Sequence, residues 1–212
     1  MYSGLTAGAL ILASYLLGAI PFALLAGKLK GIDIRKHGSG NLGATNAIRV
    51  LGKPVGLTVF VLDFLKGFIP VMVVRFLPAG SVAISEFMAF SCGAAAVVGH
   101  IFPVYLKFKG GKGVAATAGM LLAVRWDAAL IACGVFFPVR RLTGYVSLSS
   151  IALAVTFPSA LYLLHPSRAM SDYKWVLIGS CLLALLIIYR HKGNIGRILR
   201  GEEPKVGRKS PD

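Results

Sequence analysis

The sequence predicts an all-α membrane protein with seven transmembrane helices, two of them short, the N-terminus outside and the C-terminus cytoplasmic. Three observations predict it. Of 212 residues, 56% are apolar and only 15% charged, where soluble domains carry about one quarter charged. The apolar residues gather into seven stretches separated by polar loops. The basic residues fall almost entirely in alternate loops, as the positive-inside rule requires of a membrane protein. The same composition excludes a disordered chain, a collagen and a coiled coil.

Residues 4–27 form the first stretch, about 36 Å long as a helix, which crosses a hydrocarbon core of ~30 Å with some tilt. No basic segment precedes it and it is longer than the apolar region of a signal peptide, so it is expected to stay as a span. Residues 54–77, 82–102, 146–164 and 174–189 are comparable. Residues 114–124 and 128–139 give only about 18 Å each. They are either spans lengthened by flanking residues or a re-entrant hairpin turning at Arg125-Trp126-Asp127, and both return the chain to the same side.

Of the 23 Lys and Arg residues, eighteen lie in loops 28–53, 107–112 and 140–141 or in the tail from about 190. Arg75, Arg125, Arg168 and Lys174 lie on the other side, and Lys66 lies inside a span. The first side is therefore cytoplasmic, with seven crossings, or five and a hairpin. The formal charge of +15 is then mostly topological, and no nucleic-acid partner is expected. One integral membrane domain is expected over 1–212, ending in a basic cytoplasmic tail. Cys92, Cys133 and Cys181 sit in apolar stretches without metal-binding spacing and read as packing residues, so no metal site is predicted.

The cytoplasmic loops carry the chemistry. In His37-Gly38-Ser39-Gly40-Asn41-Leu42-Gly43-Ala44-Thr45-Asn46-Ala47-Ile48-Arg49 the glycines match GxGxxG, but a membrane span precedes them instead of a strand, so no dinucleotide site is expected. A phosphate-binding P-loop fails too, because Ala44 follows Gly43 where Lys is needed. Glycines still let successive backbone N–H groups point into one concavity. Ser39, Asn41, Thr45 and Asn46 add short polar groups, and Arg49 can grip a phosphate bidentately. The second loop, Lys107-Phe108-Lys109-Gly110-Gly111-Lys112-Gly113, combines ammonium groups with the start of an apolar helix, an end that favours anions. The bland reading of both loops is a polar turn at the membrane surface.

Other features are less specific. Asp63 and Lys66 are three residues apart in a span, which predicts an ion pair lining the bundle interior. His100 reads as an interfacial histidine or a site residue, and Ser147 as a helix cap or a substrate donor. His191, Asn194 and Arg197 share a face if that segment is helical.

Together GSGNLGATNAIR, KFKGGKGVA, GYVSL and HKGNIGRILRGEE, in this order, resemble the bacterial acyl-phosphate:glycerol-3-phosphate acyltransferase family, over essentially the whole chain. The resemblance implies a seven-span enzyme of the bacterial cytoplasmic (inner) membrane with its active site facing the cytoplasm. It implies acyl transfer from long-chain acyl phosphate to the sn-1 hydroxyl of glycerol 3-phosphate, giving lysophosphatidic acid and phosphate early in phospholipid synthesis, with no cofactor. The implied partners are these substrates and membrane lipid; oligomeric state is left open, a monomer being sufficient. Ser39, Asn41, Thr45, Asn46 and Arg49 then match the first motif, Lys109, Gly110, Gly111, Lys112 and Gly113 the glycine-lysine motif, Ser147 a conserved serine, and His191, Asn194 and Glu203 the last motif. Ser39, Arg49, Lys109, Ser147 and His191 are the expected catalytic residues. Asn41, Gly43, Thr45, Asn46, Gly110, Gly111, Lys112, Gly113 and Asn194 are the expected substrate-binding residues. The family's glycine-lysine motif often continues Val-Ala-Thr, whereas here Thr117 stands one residue later.

None of the four histidines has Asp five residues on, so the His-x4-Asp pair of the other large acyltransferase class is missing. The general base is accordingly His191, a substrate phosphate, or none. The alternative function is a membrane transporter for a phosphorylated metabolite, which calls for polar mid-membrane residues and repeated halves. Apart from Asp63 and Lys66 the spans are clean, and no internal repeat is evident. A basic membrane scaffold would explain the lysines but not the Gly, Asn, Ser and Thr clusters.

Overall fold

A computed structural model describes residues 4–77 and 82–205, and every regular element among them is helical. The chain divides into two compact units, one running to Val124 and the other from Arg125.

The first unit contains α1 (Gly4–Gly18), α2 (Phe22–Leu29), α3 (Ala44–Leu51), α4 (Lys53–Phe76), α5 (Val82–Ile101) and α6 (Val114–Val124). The first apolar stretch is not one continuous helix. It breaks over residues 19–21, because Pro21 lacks an N–H and its ring disfavours helical geometry in the residue before it. Close helix contacts are made through glycine. A Cβ at Gly18 would strike the Ala96 backbone and one at Gly99 the Tyr15 carbonyl, so α1 and α5 touch main chain to main chain. Gly67 against Ala116 and Gly119 against Phe64 do the same for α4 and α6. In lipid, where apolar side chains gain nothing by leaving the solvent, such close approach is what holds helices together. At the loop end Leu24, Ile34, Leu42, Leu51 and Val59 form a buried cluster that anchors α2, the first loop and α3 on α4.

The second unit contains α7 (Trp126–Thr143), α8 (Val146–Leu164), α9 (Pro166–Ala169), α10 (Lys174–Arg190) and α11 (Lys192–Leu199). Phe157 and Leu161 are fully buried on α8, and Ala154, Ala184 and Ile187 join α8 to α10. α7 exceeds the predicted 128–139: Trp126 and Asp127 form its first turn and Arg140–Thr143 its last, for about 27 Å. It stops at Gly144, left-handed at φ +77°, whose N–H bonds the Arg140 carbonyl. At its start Asp127 accepts from the Ala128 N–H (2.9 Å) and from Arg125 and lies 2.7 Å from His165 Nε2, while Arg125 also donates to the Tyr173 hydroxyl (2.6 Å). These bonds tie the start of α7 to the end of α8 and the turn before α10.

Four segments among the described residues are long and apolar enough to cross a membrane: 4–29, Lys53–Phe76, Glu86–Leu106 and Val146–Leu164. α10 with α11, bent by 54°, makes a fifth if the pair is taken as one broken span. The molecule is thus a multi-pass helical membrane protein. α6, at 11 residues, is too short to span as a regular helix. Cys92 is buried as predicted, Cys133 half-buried, but Cys181 is exposed, because it lies off the α10 stripe of Ser180, Leu183, Ala184 and Ile187 that packs inward.

Candidate active site

Beyond α2, Asp33 caps a 3-10 turn (Ile34–Lys36), accepting from the Arg35 N–H (3.1 Å) and binding its guanidinium at 2.9 and 2.8 Å. The Arg35 hydrogen bonds hold the Asp33 carboxyl well below the usual carboxylate range. The loop is then folded by Asn46, which is 1% exposed. Its Oδ1 accepts the Ser39 N–H (2.9 Å), and its Nδ2 donates to the carbonyls of Ile34 (3.3 Å) and His37 (3.2 Å). Gly38 has φ +60°, and a Cβ there would collide with Asn46 Oδ1, so glycine is required twice over. Asn46 therefore spends its amide on shaping the loop. Ser39, Thr45 and Arg49 are exposed, and Asn41 and Gly43 half-buried, around this clamp.

The glycine-lysine loop follows α5. Gly110 N–H bonds the Ile101 carbonyl and Gly111 N–H the His100 carbonyl, each at 3.1 Å, folding the loop back over the helix end. Lys107 and Phe108 take positive φ, 51° and 62°, in the reversal. Gly113 carries the chain into α6, its carbonyl accepting the Thr117 N–H (2.8 Å). Lys109 is exposed, and Lys112, just ahead of the α6 N-terminus, half-buried.

Beneath this loop lies a buried polar trio. Lys66 Nζ pairs with Asp63 Oδ1 at 2.7 Å and donates to the Ile20 carbonyl (3.1 Å), a group that the break after α1 leaves without a helical partner. His100 Nδ1 faces the same Asp63 oxygen at 3.5 Å. The predicted Asp63–Lys66 pair is present, and His100 joins it. A small, partly open hollow with room for about one water molecule is lined by Ile20, Pro21, Leu42, Lys66, His100, Gly110 and Gly111. Leu42 belongs to the first loop and the glycines to the second, so the hollow is where the two motifs meet. Sequence reasoning missed the Ile20–Pro21 break, for which Pro21 inside an apolar stretch was the available signal, and left His100 undecided.

The second unit gathers its own cluster. Glu203 Oε1 accepts from Ser147 Oγ (2.8 Å) and Asn194 Nδ2 (2.6 Å), and Oε2 from Arg197 Nε (2.8 Å). Burial raises the Glu203 carboxyl's pKa, but these three donors outweigh it and hold it below the ordinary value. Asn194 and Arg197 do share a face, as predicted. Ser147 is not a cap, since Tyr145 holds that position and the serine hydroxyl is turned to Glu203. His191 is 2% exposed at the α10–α11 bend, its Nδ1 donating to the Ile187 carbonyl (2.8 Å). A nitrogen facing a carbonyl carries the proton, so Nε2 is the basic nitrogen of the neutral ring. Among the described residues, no three His, Cys, Asp or Glu side chains form a group that could hold a metal ion.

Fold and loops define the class: a multi-pass helical membrane protein presenting glycine-lined, cationic loops at helix ends, an arrangement suited to anions. The sequence model of the glycerol-3-phosphate acyltransferase family matches residues 8–201. The chain is 44% identical to a glycerol-3-phosphate acyltransferase of Bacillus cereus (strain G9842), the alignment covering 93% of each. It is also 44% identical to one of Staphylococcus aureus (strain JH9), covering 93% of this chain and 96% of the relative. Its structure is similar to that of PlsY (YgiH), an integral membrane glycerol 3-phosphate acyltransferase, in the glycerol 3-phosphate form (TM-score 0.86, 40% identity, 95% of this chain and 96% of that one). The lysophosphatidic acid form of PlsY gives a TM-score of 0.83 at 39% identity, over the same shares. This chain belongs to the glycerol-3-phosphate acyltransferase family.

Proposed function

We propose that the protein transfers a fatty acyl group from acyl phosphate to the sn-1 hydroxyl of glycerol 3-phosphate, giving lysophosphatidic acid and phosphate for phospholipid synthesis. Family membership supports the acyltransferase activity. The observation that carries the site is the hollow where Leu42 of the first loop meets Gly110 and Gly111 of the second, with cationic Lys109, Lys112 and Arg49 in the same two segments. Both substrates in this reading carry phosphate. Arg49, Lys109 and Lys112 bind the phosphates, and Ser39, Asn41, Thr45, Ser147, Asn194 and the N–H groups of Gly43 and Gly113 orient hydroxyl and carbonyl, while Gly110 and Gly111 let the loop pass close over the site.

The hydroxyl oxygen attacks the acyl carbon, the carbon–oxygen bond to phosphate breaks with its electron pair leaving on phosphate, and the hydroxyl proton goes to that phosphate or to His191 Nε2. An acyl phosphate is a mixed anhydride with a good leaving group, so little acid assistance is needed. Proximity supplies about 7–11 kcal/mol of the barrier reduction and donors aimed at the developing oxyanion about 3–4 kcal/mol.

The topology belongs to the same reading: seven crossings in the bacterial inner membrane, α6 needing flanking residues to cross, or five and a re-entrant hairpin of α6 and α7, with the N-terminus outside and the C-terminus and reaction site cytoplasmic. The whole chain acts as one acyltransferase, a monomer sufficing. Trp126 and Trp175, 65% and 56% exposed, stand at the end of the second unit that carries Arg125, Arg168 and Lys174. That suits the outer membrane–water interface.

The test is to incubate purified protein with glycerol 3-phosphate and palmitoyl phosphate, palmitoyl-CoA or palmitoyl-acyl carrier protein in turn. Lysophosphatidic acid from palmitoyl phosphate alone is expected. Product from the thioesters but not the phosphate overturns the donor, and no product from any of them overturns the activity.

A further inference from the structure

We propose that His100 is a positioning residue for the glycine-lysine loop: the buried Asp63–Lys66 pair holds its imidazole, and the imidazole sets the height of the Gly110–Gly113 backbone and hence of the phosphate cradle. The proposal deepens the acyl-transfer reading and rests on it.

Four observations converge on the ring. Asp63, Lys66 and His100 are 1%, 2% and 7% exposed, deep burial for three ionisable groups. Asp63 takes Lys66 at 2.7 Å and stands 3.5 Å from His100 Nδ1, so one carboxylate on α4 addresses both a lysine of its own helix and a histidine of α5. The ring lies against the loop: a Cβ added to Gly111 would run into its Nε2, while the Gly111 N–H bonds the main-chain carbonyl of the same residue. On the far side Lys66 reaches the Ile20 carbonyl, so the network also fixes the broken first span that closes the hollow. The imidazole thus stands between the carboxylate that its Nδ1 faces and the Gly111 backbone that its Nε2 faces. A group placed this way acts through the loop's position and through Lys109 and Lys112, since a shift of about 1 Å in a binding group can cost 10²-fold in rate.

The experiment compares His100→Ala, His100→Gln and Asp63→Asn with wild type, titrating glycerol 3-phosphate and the acyl donor separately and recording thermal melts in detergent. His100→Ala is expected to raise KM for one phosphorylated substrate by about tenfold or more, leaving kcat and the other KM within about threefold. His100→Gln, whose amide nitrogen reaches the place of Nε2, is expected to recover most of that loss. Asp63→Asn keeps the volume but loosens the ring, and is expected to raise the same KM. A merely structural histidine would lower the melting temperature and leave both KM values alone; that result overturns the proposal, as does a fall in kcat at unchanged KM. Should His100→Ala not fold, Asp63→Asn decides, and unchanged KM values there overturn the proposal equally. Wild-type turnover with thioester donors only would refute the donor assignment instead, and the same comparison would then be run with the donor that works.

Discussion

Asn46 offers the sharpest test of how the first loop works. Replacing it with alanine removes three hydrogen bonds: the one accepted from Ser39 N–H and the two donated to the carbonyls of Ile34 and His37. At about 1 kcal/mol each, the loop's working shape loses about 3 kcal/mol. Since 1.4 kcal/mol is a factor of ten, the population of that shape falls by up to about 10²-fold, and kcat/KM with it. The loss is local. α3 stays anchored by Ala47 and Leu51 in the cluster on α4, so the global melt should move little. Asn46→Asp keeps the oxygen that accepts from Ser39 but turns a second oxygen toward two carbonyls, and should be no better than alanine. Initial rates of lysophosphatidic acid formation against glycerol 3-phosphate, beside a melt in detergent, measure both effects. Asn46→Ala with kcat/KM within about threefold of wild type would show that the loop holds its shape without the clamp, and the reasoning would fail.

Gly111→Ala drives a Cβ against His100 Nε2 and to 3.0 Å from the Leu42 carbonyl, so the loop must lift, and kcat/KM is expected to fall by about 10²-fold. Lys66→Met leaves the buried Asp63 carboxylate with His100 alone beside it and should destabilise the protein by up to about 3–5 kcal/mol, whereas Asp63→Asn with Lys66→Met should melt closer to wild type; equal melting of single and double variants would refute the pairing argument. Glu203 is held below its ordinary value of 4.5, so its ionised form contributes stability that is fully present above that pH and is lost as pH falls through the lower folded-state value. Glu203→Gln should accordingly melt lower than wild type at pH 7 and approach it in acid, and a gap that widened as pH fell would contradict this sign.

The membrane class, the main apolar spans and the two glycine-rich loops were legible in the sequence because they are written in local composition and periodicity. The residues that shape the site were harder to read. Pro21 and the polar side chain that caps the resulting break, Lys66, are 45 positions apart, and only the folded bundle brings Lys66 to the Ile20 carbonyl at 3.1 Å. Asp63 and His100 meet across two helices, a pairing that no short spacing encodes. That Asn46 folds the loop could not be read from its neighbours, because only burial turns its amide inward, where the loop's own carbonyls need donors. Ser147 read as a cap or a donor, and the acceptor of its proton proved to be Glu203, which the motif resemblance had marked without a partner.

The main-chain contacts at Gly18, Gly67, Gly99 and Gly119 reverse the usual pattern of mutational tolerance. Leucines and phenylalanines on the outside of the helices meet only lipid tails and should accept exchange among bulky residues, while the smallest residues are the ones frozen in place. A saturation scan of this protein should therefore find its least replaceable interior positions where a side chain is lacking altogether, and a variant library meant to preserve the bundle is best built by fixing those glycines first.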